Sequence, residues 1–280
     1  MLCIKNNLAD KLGKKIIRTP LYYMGGKSKA VRTILSFIPD NIKYLVSPFV
    51  GGGSIEVACS GFNFPVVCYD QYFPLICFWA SLRHNKKELI EEVLKMKPVT
   101  RELYKELLLV IGDGSIAFSE YEIGAAYFAL NRSSFMAQIW SGISTNPNNN
   151  ITDNLIKRLE EFDSTNLYFA QRDFRDVAWN SVDNGFIYAD PPYYVSKGTN
   201  YYGKKGDLTD FDHNSLFEIL DKRESWLLSY DNVPEVRELY KDYRQIPLQW
   251  TYSNATGSYT PAEAKEILVL SNNIPEIMEV

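Results

Sequence analysis

A glycine-rich turn between an apolar run and the start of a helix is the feature that most constrains the fold. The run Tyr44–Ser47 has the pattern of a short buried strand, and it leads through Pro48–Gly53 into a segment with helical spacing of apolar residues. A second β-type run, Phe64–Tyr69, ends at Asp70. Two strands joined by a helix favour parallel pairing, so the chain is predicted to contain an α/β sheet.

The same unit has the geometry of a nucleoside-binding site. Consecutive glycines let a ligand approach the backbone closely. An acidic residue such as Asp70, at the end of the second strand, is placed to accept hydrogen bonds from ribose hydroxyls. Glu56 stands where a dinucleotide-binding motif would have its third glycine. Dinucleotides and S-adenosylmethionine both use this geometry, and a simple glycine loop is a third interpretation.

The length and composition fit one large globular domain, or a domain with a sizeable insertion. The chain has 280 residues, 46% of them hydrophobic and 23% charged, and a formal net charge of −4. That charge argues against a general polyanion binder, although a local basic patch can act where the average does not. No apolar run approaches the roughly 20 residues of a membrane span, and residues 1–18 lack the apolar core of a signal peptide. We therefore expect no membrane partner and a cytoplasmic location.

The cysteines are expected to be buried, reduced thiols rather than metal ligands. Cys3, Cys59, Cys68 and Cys77 lie mostly in apolar surroundings, they form no Cys-x-x-Cys pair, and the chain has 2 histidines. Zinc sites in proteins use closely spaced cysteines and histidines. No metal is therefore expected.

The N-terminal segment up to Thr19 is polar, and we expect it to form an arm rather than a core element. Tyr22–Lys27 then brings an aromatic pair, a Gly-Gly turn and a lysine before a helix that ends at Pro39. This lysine could hold phosphate, but the full spacing of a nucleotide-triphosphate loop is absent. A glycine that caps the helix is the plainer interpretation.

Residues 75–131 have the periodicity of several helices, the last of which begins with a capping box of Ser119 and Glu122. Helices at this point are an insertion relative to a minimal α/β sheet. Asn131–Asn150 is polar with aromatic residues, which predicts either a loop or hairpin that touches a ligand or a disordered connector. Residues 194–210 form a second long loop, of a length that is usually functional or disordered. The remaining pattern predicts helices at 151–162, 212–220 and 234–240 and strands at 167–170, 226–229, 243–248 and 266–270.

A β-type run, Phe186–Ala189, delivers Asp190 onto a turn formed by Pro191 and Pro192. Proline has a fixed φ and no N–H to donate, so this turn offers only acceptors and aromatic faces. An exocyclic amine on a flat ring matches it, because Asp190 and the Pro191 carbonyl can each accept one N–H while Tyr193 stacks on the ring. An ordinary surface turn contains the same dipeptides.

Together, these motifs resemble those of a DNA adenine-N6 methyltransferase of the Dam family (D12 class, alpha group), which uses S-adenosylmethionine. The resemblance runs from about Leu21 to Ser271. The matching motifs follow the family's order: Tyr23–Lys27, Pro48–Gly53, Asp70, Asn131–Phe135, Asp173-Phe174, Asp190–Tyr193, Leu228–Asn232 and Lys265–Leu268. The resemblance implies a Rossmann-like methyltransferase sheet with an inserted, mainly helical target-recognition domain. The core would comprise residues 1–75 and 161–280, and the insertion residues 76–160.

The resemblance also implies how the cofactor S-adenosylmethionine and its product S-adenosylhomocysteine are bound, without a metal. The glycine turn and Phe49 would wall the methionine part, Asp70 would hold the ribose, and the pair Asp173-Phe174 would meet the adenine. The implied cofactor-binding residues are Tyr23, Lys27, Phe49, Gly51, Gly53, Asp70, Asp173, Phe174 and Asp190.

The resemblance places the reaction at Asp190, Pro191, Pro192 and Tyr193. The N6 lone pair of adenine is delocalised into the ring. Acceptance of both N–H groups by Asp190 and the Pro191 carbonyl would favour the positive charge that develops on the attacking nitrogen. A base inside a duplex cannot reach this turn, so double-stranded DNA is the expected partner, with the adenine flipped out onto Tyr193. None of the cysteines follows a proline, which argues against cytosine-C5 chemistry.

Two positions depart from the family's pattern. Ser47 replaces the acidic residue that many members have before Pro-Phe, and Trp140 stands where GATC readers carry a guanine-reading arginine. Arginine to guanine is the commonest base-specific contact, so GATC is not predicted as the recognition sequence. The candidate DNA contacts are Asn131, Arg132, Gln138, Trp140, Lys197, Lys204 and Lys205.

Three other functions remain open at this stage. The same fold could methylate cytosine N4 or an RNA adenine, since the turn at Asp190 serves exocyclic amines generally, or it could be a catalytically silent DNA-binding module. We expect a monomer or weak dimer, in the cytoplasm of a bacterium or of a phage's host.

Overall fold

A mostly parallel seven-stranded sheet forms the centre of the protein. The computed structural model describes residues 2–12, 16–23, 25–112, 117–145, 150–177, 179, 185–194, 211–248 and 264–279. The strands are β1 (Leu2–Ile4), β2 (Leu45–Ser47), β3 (Val66–Asp70), β4 (Leu167–Gln171), β5 (Phe186–Ala189), β6 (Trp226–Asp231), β7 (Arg244–Leu248), β8 (Glu266–Leu270) and β9 (Ile277–Glu279). The large sheet has the order β4-β3-β2-β5-β6-β8-β7, and β8 runs antiparallel to both of its neighbours.

Burial on both faces explains why the central strands read as continuous apolar runs. All 4 residues of β5 and all 6 of β6 are buried, as expected for parallel strands covered by helices. The helices are α1 (Leu8–Lys11), α2 (Val31–Leu35), α3 (Ser54–Cys59), α4 (Phe73–His84), α5 (Lys86–Lys95), α6 (Arg101–Ile111), α7 (Glu120–Ser133), α8 (Asp153–Glu160), α9 (His213–Asp221) and α10 (Pro234–Leu239). The predicted α/β core with its parallel strands is confirmed.

The helices α4 to α8 lie between β3 and β4 in the chain, where the sequence predicted an insertion. The capping box at Ser119 and Glu122 is present and begins α7. Gly124 lets α7 approach α4 closely, because a Cβ there would lie 2.8 Å from backbone atoms of Phe78. Side chains of α4 to α8 share one hydrophobic core with residues of the sheet, such as Leu167 of β4.

Two predictions about the chain's organisation were wrong. The N-terminal segment is not an arm: β1 pairs with β9 at the other end of the chain, and Ile4 and Leu8 are fully buried. The predicted loop at Asn131 begins later, because α7 continues to Ser133. Both errors arise from tertiary packing, which stabilises polar segments that local pattern assigns to loops.

The connection order places a ligand-binding crevice at the carboxyl ends of β2 and β5. From β2, the chain builds outward through β3 to β4, and it then returns to β5 on the other side of β2. Open α/β sheets bind ligands at such a reversal point, outside the carboxyl ends of the strands. Ser47, Asp70 and Asp190 lie at or just beyond strand ends on this edge. No helix in the described part of the chain has the length and apolar character needed to cross a membrane.

Candidate active site

One pocket at this edge brings together the glycine turn, the Asp190 turn and the Tyr23–Lys27 segment. Its wall is also formed by the start of α3, the end of β3 and the segment that follows α7. Lining residues predicted from the sequence are Tyr23, Lys27, Phe49, Gly51, Gly53, Asp70, Gln138, Trp140, Phe174, Asp190, Pro191, Pro192 and Tyr193. Motifs that are far apart in the chain therefore meet in one place.

The glycine turn is held between two aromatic side chains. Gly51 and Gly53 have φ angles of 46° and 67°, in the left-handed region that favours glycine. A Cβ at Gly53 would lie 2.8 Å from Cζ2 of Trp79, and one at Gly52 would lie 2.4 Å from Cβ of Tyr23. The indole N–H of Trp79 donates a hydrogen bond of 3.1 Å to the carbonyl of Gly51. Glycine is required here because the backbone itself is packed on both sides.

Asp70 connects the end of β3 to this turn. Its Oδ2 accepts a hydrogen bond from the Gly51 N–H and its Oδ1 one from the Tyr72 N–H, each 3.0 Å long. Burial raises the pKa of Asp70 above its ordinary value, and these backbone hydrogen bonds only reduce that rise. Each carboxylate oxygen has a second lone pair, so Asp70 can position the turn and still accept a hydrogen bond from a ligand.

Three phenylalanines form an aromatic wall of the pocket. The ring centroids of Phe49 and Phe174 are 5.5 Å apart, and Phe211 lies 5.5 Å from the first and 5.0 Å from the second. Such a cluster offers flat apolar surface to a planar ring. Asp173 does not line this pocket with Phe174. Its carboxylate accepts hydrogen bonds of 2.8 Å from the guanidinium of Arg175, which lower the pKa of Asp173.

Asp190 is paired with Lys27 at the centre of the pocket. The Lys27 ammonium donates to Oδ1 and Oδ2 of Asp190 over 2.7 and 2.8 Å, and to the hydroxyl of Tyr193 over 2.8 Å. The Lys27 side chain is only 3% exposed, whereas that of Asp190 is 22% exposed and faces the pocket. The lysine of the Gly-Gly-Lys motif thus holds the aspartate, while Gly26 is the N-cap of the short 3-10 helix Lys27–Lys29.

Burial and charge act in opposite directions on the carboxylates beside Lys27. Burial raises the pKa of Asp190, while the charge and hydrogen bonds of Lys27 lower it. Glu266 lies 3.8 Å from the same ammonium, and its pKa is raised by burial and lowered by Lys27. Two carboxylates therefore share one cation, and the pKa of each stays above its ordinary value because burial outweighs the effect of Lys27.

A third carboxylate, Glu56, lies in the wall of the pocket and was missed as a functional residue. It is 2% exposed on the first turn of α3, and its Oε1 accepts a hydrogen bond of 2.6 Å from the hydroxyl of Ser47. Burial raises the pKa of Glu56 to about 7. The sequence did contain a signal for this site. Glu56 stands where a glycine was expected and Ser47 where an acidic residue was expected, but the two departures were not connected.

The candidate DNA contacts fall into different environments. Asn131 is buried, and its amide group accepts from the N–H of Tyr22 and donates to its carbonyl, over 3.1 and 2.7 Å. Burial lowers the pKa of Arg132, and the nearby guanidinium of Arg158 lowers it further. Gln138 and Trp140 line the pocket. The predicted contacts Lys197, Lys204 and Lys205 lie outside the described residues.

Trp140, in the segment that was predicted to contact DNA, lines the pocket. It packs against the hydrophobic core and interacts with Tyr72, whose pKa is raised to about 12, mainly by burial. Tyr72 follows Asp70 closely in the chain and lines the same pocket.

Among the described residues, no group of three or more His, Cys, Asp and Glu side chains is arranged to hold a metal ion. All the cysteines are buried and unpaired, as predicted.

Comparison with known proteins agrees with the resemblance found in the motifs. Modification methylase StsI of Streptococcus sanguinis is 25% identical over 303 residues, which cover 94% of this chain and 44% of that protein. Type II methyltransferase M.FokI of Planomicrobium okeanokoites is 25% identical over 298 residues, with 95% and 45% covered. Type II methyltransferase M1.LlaDCHI of Lactococcus lactis subsp. cremoris is 25% identical over 297 residues, with 94% and 98% covered. The chain thus spans less than half of the first two relatives and nearly all of the third.

A family match extends over most of the chain. Residues 23–254 match the family described as D12 class N6 adenine-specific DNA methyltransferase. This range contains the glycine turn, Asp70 and the Asp190 turn. The resemblance predicted from those motifs is confirmed, and the chain belongs to the D12 class N6 adenine-specific DNA methyltransferase family.

Proposed function

We propose that this protein is a DNA methyltransferase that transfers a methyl group from S-adenosylmethionine to N6 of adenine. The observation that carries the proposal is that Asp190, on its Pro-Pro turn, lines the same pocket as the glycine turn and Asp70. An acceptor for an amine and a nucleoside site are thus adjacent. The family membership and the names of the relatives, which are modification methylases or type II methyltransferases, support the same function.

The described residues of the pocket fit S-adenosylmethionine. Asp70 offers a carboxylate for ribose hydroxyls, and the wall of Phe49 and Phe174 suits the adenine ring. The buried carboxylate of Glu56 suits a positive charge, because burial of an unpaired carboxylate is costly. The cofactor, when bound, supplies a methyl group on a positively charged sulfur.

Asp190 accepts an N–H of the target amine, and the Pro191 carbonyl accepts the other. Pro191 and Pro192 keep this turn free of competing donors. Lys27 occupies both oxygens of Asp190, but a carboxylate has about four lone-pair sites, so acceptor capacity remains. Hydrogen bonds that strengthen as positive charge develops on nitrogen lower the barrier of the transfer.

Lys27 opposes the protonation of Asp190 that burial favours. A protonated Asp190 would lose acceptor capacity, and burial favours that form. The adjacent ammonium offsets this preference, and it also fixes Tyr193 through the hydroxyl. Lys27 is therefore a positioning residue for the acceptor and for the aromatic ring that would stack on the base.

The inserted helices are the proposed target-recognition domain, residues 76–160, on a core of residues 1–75 and 161–280. In support, the segment that follows α7 borders the pocket through Gln138, Ile139 and Trp140. Double-stranded DNA is the proposed partner, since base flipping would bring the adenine from the duplex to Asp190. Arg132 and the lysines of residues 194–210 remain proposed contacts.

The proposal is tested by methyl transfer to double-stranded DNA of mixed sequence. Purified wild-type protein and Asp190→Ala are incubated with DNA and isotope-labelled S-adenosylmethionine, and the DNA is digested to nucleosides for mass analysis. We expect N6-methyladenine from the wild type and a rate at least about 100-fold lower from Asp190→Ala.

Asp242→Ala, a change at an exposed aspartate, is the matched control and should keep full activity. N4-methylcytosine as the only product would contradict the adenine assignment. Unchanged activity of Asp190→Ala would contradict the role of the turn.

A further inference from the structure

Glu56 is a buried carboxylate in the ligand pocket that takes no part in the methyl transfer itself, and the group of the cofactor that it would contact has not been assigned above. Its side chain projects from α3 and is 2% exposed, and the Ser47 hydroxyl holds one of its oxygens at 2.6 Å. Ser47 is itself fully buried at the end of β2. The two residues, which precede and follow the glycine turn in the chain, thus form a fixed acceptor site in the wall of the pocket.

Among the residues that the structure describes, none of the groups that shift the pKa of Glu56 is a cation. Tyr188 on β5 and Asp190 just after it interact with Glu56, and Asp190 raises the pKa of Glu56. The thiols of Cys59 on α3 and Cys68 on β3 also lie close, and burial raises the pKa of both. The turn of residues 27–29 packs on α3 as well, but there Lys27 is paired with Asp190 and Tyr193.

A buried carboxylate among neutral and acidic neighbours is suited to a cationic ligand. S-adenosylmethionine has two positive groups, the sulfonium and the α-ammonium of its methionine part. Only the ammonium carries N–H donors, and a carboxylate is a pure acceptor. Hydrogen bonds between such charged groups are about twice as strong as neutral ones.

We propose that Glu56, held by Ser47, binds the α-ammonium of the cofactor's methionine part. This inference rests on the proposed function, because it requires that the protein binds S-adenosylmethionine. In the family that the chain resembles, an acidic residue often stands at the position of Ser47. Here the hydroxyl at that position instead holds a carboxylate that comes from α3.

Proton release on ligand binding tests the inference without any measurement of activity. Since the pKa of Glu56 is about 7 in the free protein, about half of the molecules carry a proton there at pH 7. An ammonium ligand lowers that pKa and expels the proton. Calorimetric titration with S-adenosylhomocysteine, in buffers of different ionisation enthalpy, should show release of about half a proton at pH 7.

A second ligand identifies the group that Glu56 contacts. 5′-Methylthioadenosine keeps the nucleoside and the sulfur but lacks the α-ammonium, and its binding should release no proton from Glu56. S-adenosylhomocysteine has no sulfonium, so proton release with this ligand assigns the effect to the ammonium.

Two variants separate binding from a merely structural role. Glu56→Gln keeps the shape of the side chain. It should abolish the proton release and weaken S-adenosylhomocysteine binding by about 10- to 100-fold, with little effect on 5′-methylthioadenosine. Ser47→Ala keeps the carboxylate but removes a hydrogen bond that lowers the pKa of Glu56, so proton release should move to higher pH.

Equal proton release and equal affinity in the wild type and Glu56→Gln would overturn the inference. Equal weakening of both ligands by Glu56→Gln would also overturn it, because that pattern indicates a general change of the pocket. A wild-type protein that binds neither ligand would instead contradict the proposed function.

Discussion

The buried carboxylate of Glu56 predicts an unusual pH dependence of stability in the ligand-free protein. Its pKa rises from 4.5 in an exposed state to about 7 in the fold, with burial as the main cause. An acid whose pKa is raised on folding contributes stability below its unfolded pKa. That contribution is lost as the pH rises through the folded pKa. The change corresponds to about 3 kcal/mol of unfolding free energy over the whole range, since one pKa unit equals about 1.4 kcal/mol.

Glu56→Gln should remove this loss. Between pH 5 and pH 8, the wild type is expected to lose about 2–3 kcal/mol of unfolding free energy relative to the variant. Urea unfolding of both proteins at several pH values, without ligand, measures this difference directly. Other groups titrate equally in both proteins, so the difference between their unfolding free energies at each pH isolates the contribution of Glu56.

Glu160→Gln is the matched control, since it makes the same chemical change at an exposed residue of α8. Its stability curve should run parallel to that of the wild type. If the curve of Glu56→Gln also runs parallel to the wild type from pH 5 to pH 8, the buried site at Glu56 does not exist as described.

Three further changes test other parts of the site. Lys27→Met should lower kcat by about 100- to 1,000-fold. It should also move the acidic limb of the pH–rate profile to higher pH, because the pKa of Asp190 rises without the ammonium. An unshifted profile would argue against this role of Lys27. In urea unfolding, Gly53→Ala should lower the unfolding free energy by more than Gly25→Ala. Both glycines have a positive φ, but a Cβ at Gly25 meets nothing within 4 Å. Equal losses in the two variants would contradict the packing described for Gly53. Trp140→Ala should weaken S-adenosylhomocysteine binding by about 10-fold, as expected when a large aromatic contact is lost. A loss confined to DNA affinity would instead favour the DNA contact predicted from the sequence.

Much of the site could be predicted because its signals are local. The glycine turn and the Asp190 turn each read as a strand followed by a turn of defined chemistry, and both occur where predicted. Asp70 was placed correctly at the end of β3 for the same reason. Parallel strands then bring these ends to one edge of the sheet without any further information.

The rest depends on contacts between distant parts of the chain. The pairing of β1 with β9 joins the two ends, and neither segment has a strong pattern of its own. Asn131 was predicted to contact DNA, which stays a prediction, and the hydrogen bonds of its amide with the backbone of Tyr22 could not be read from the sequence. Trp140 was predicted as a candidate contact to DNA bases or backbone, which stays a prediction, and its interaction with Tyr72 could not be read from the sequence.

Glu56 shows how a departure from a pattern can carry information. Ser47 and Glu56 each differ from the expected motif, and the hydrogen bond between them explains both at once. Their separation by a glycine turn hides this relation in the sequence. The turn brings β2 and α3 together, so the two departures become one site.

The identity of the methylated base tests the central claim most directly. The protein is expressed in a host that lacks DNA methylation, and modified bases are mapped across the genome by sequencing that distinguishes N6-methyladenine from N4-methylcytosine. We predict N6-methyladenine at one recurring sequence, and its disappearance with Asp190→Ala. N4-methylcytosine, or N6-methyladenine that persists in Asp190→Ala, would contradict the claim that this turn presents adenine for methylation.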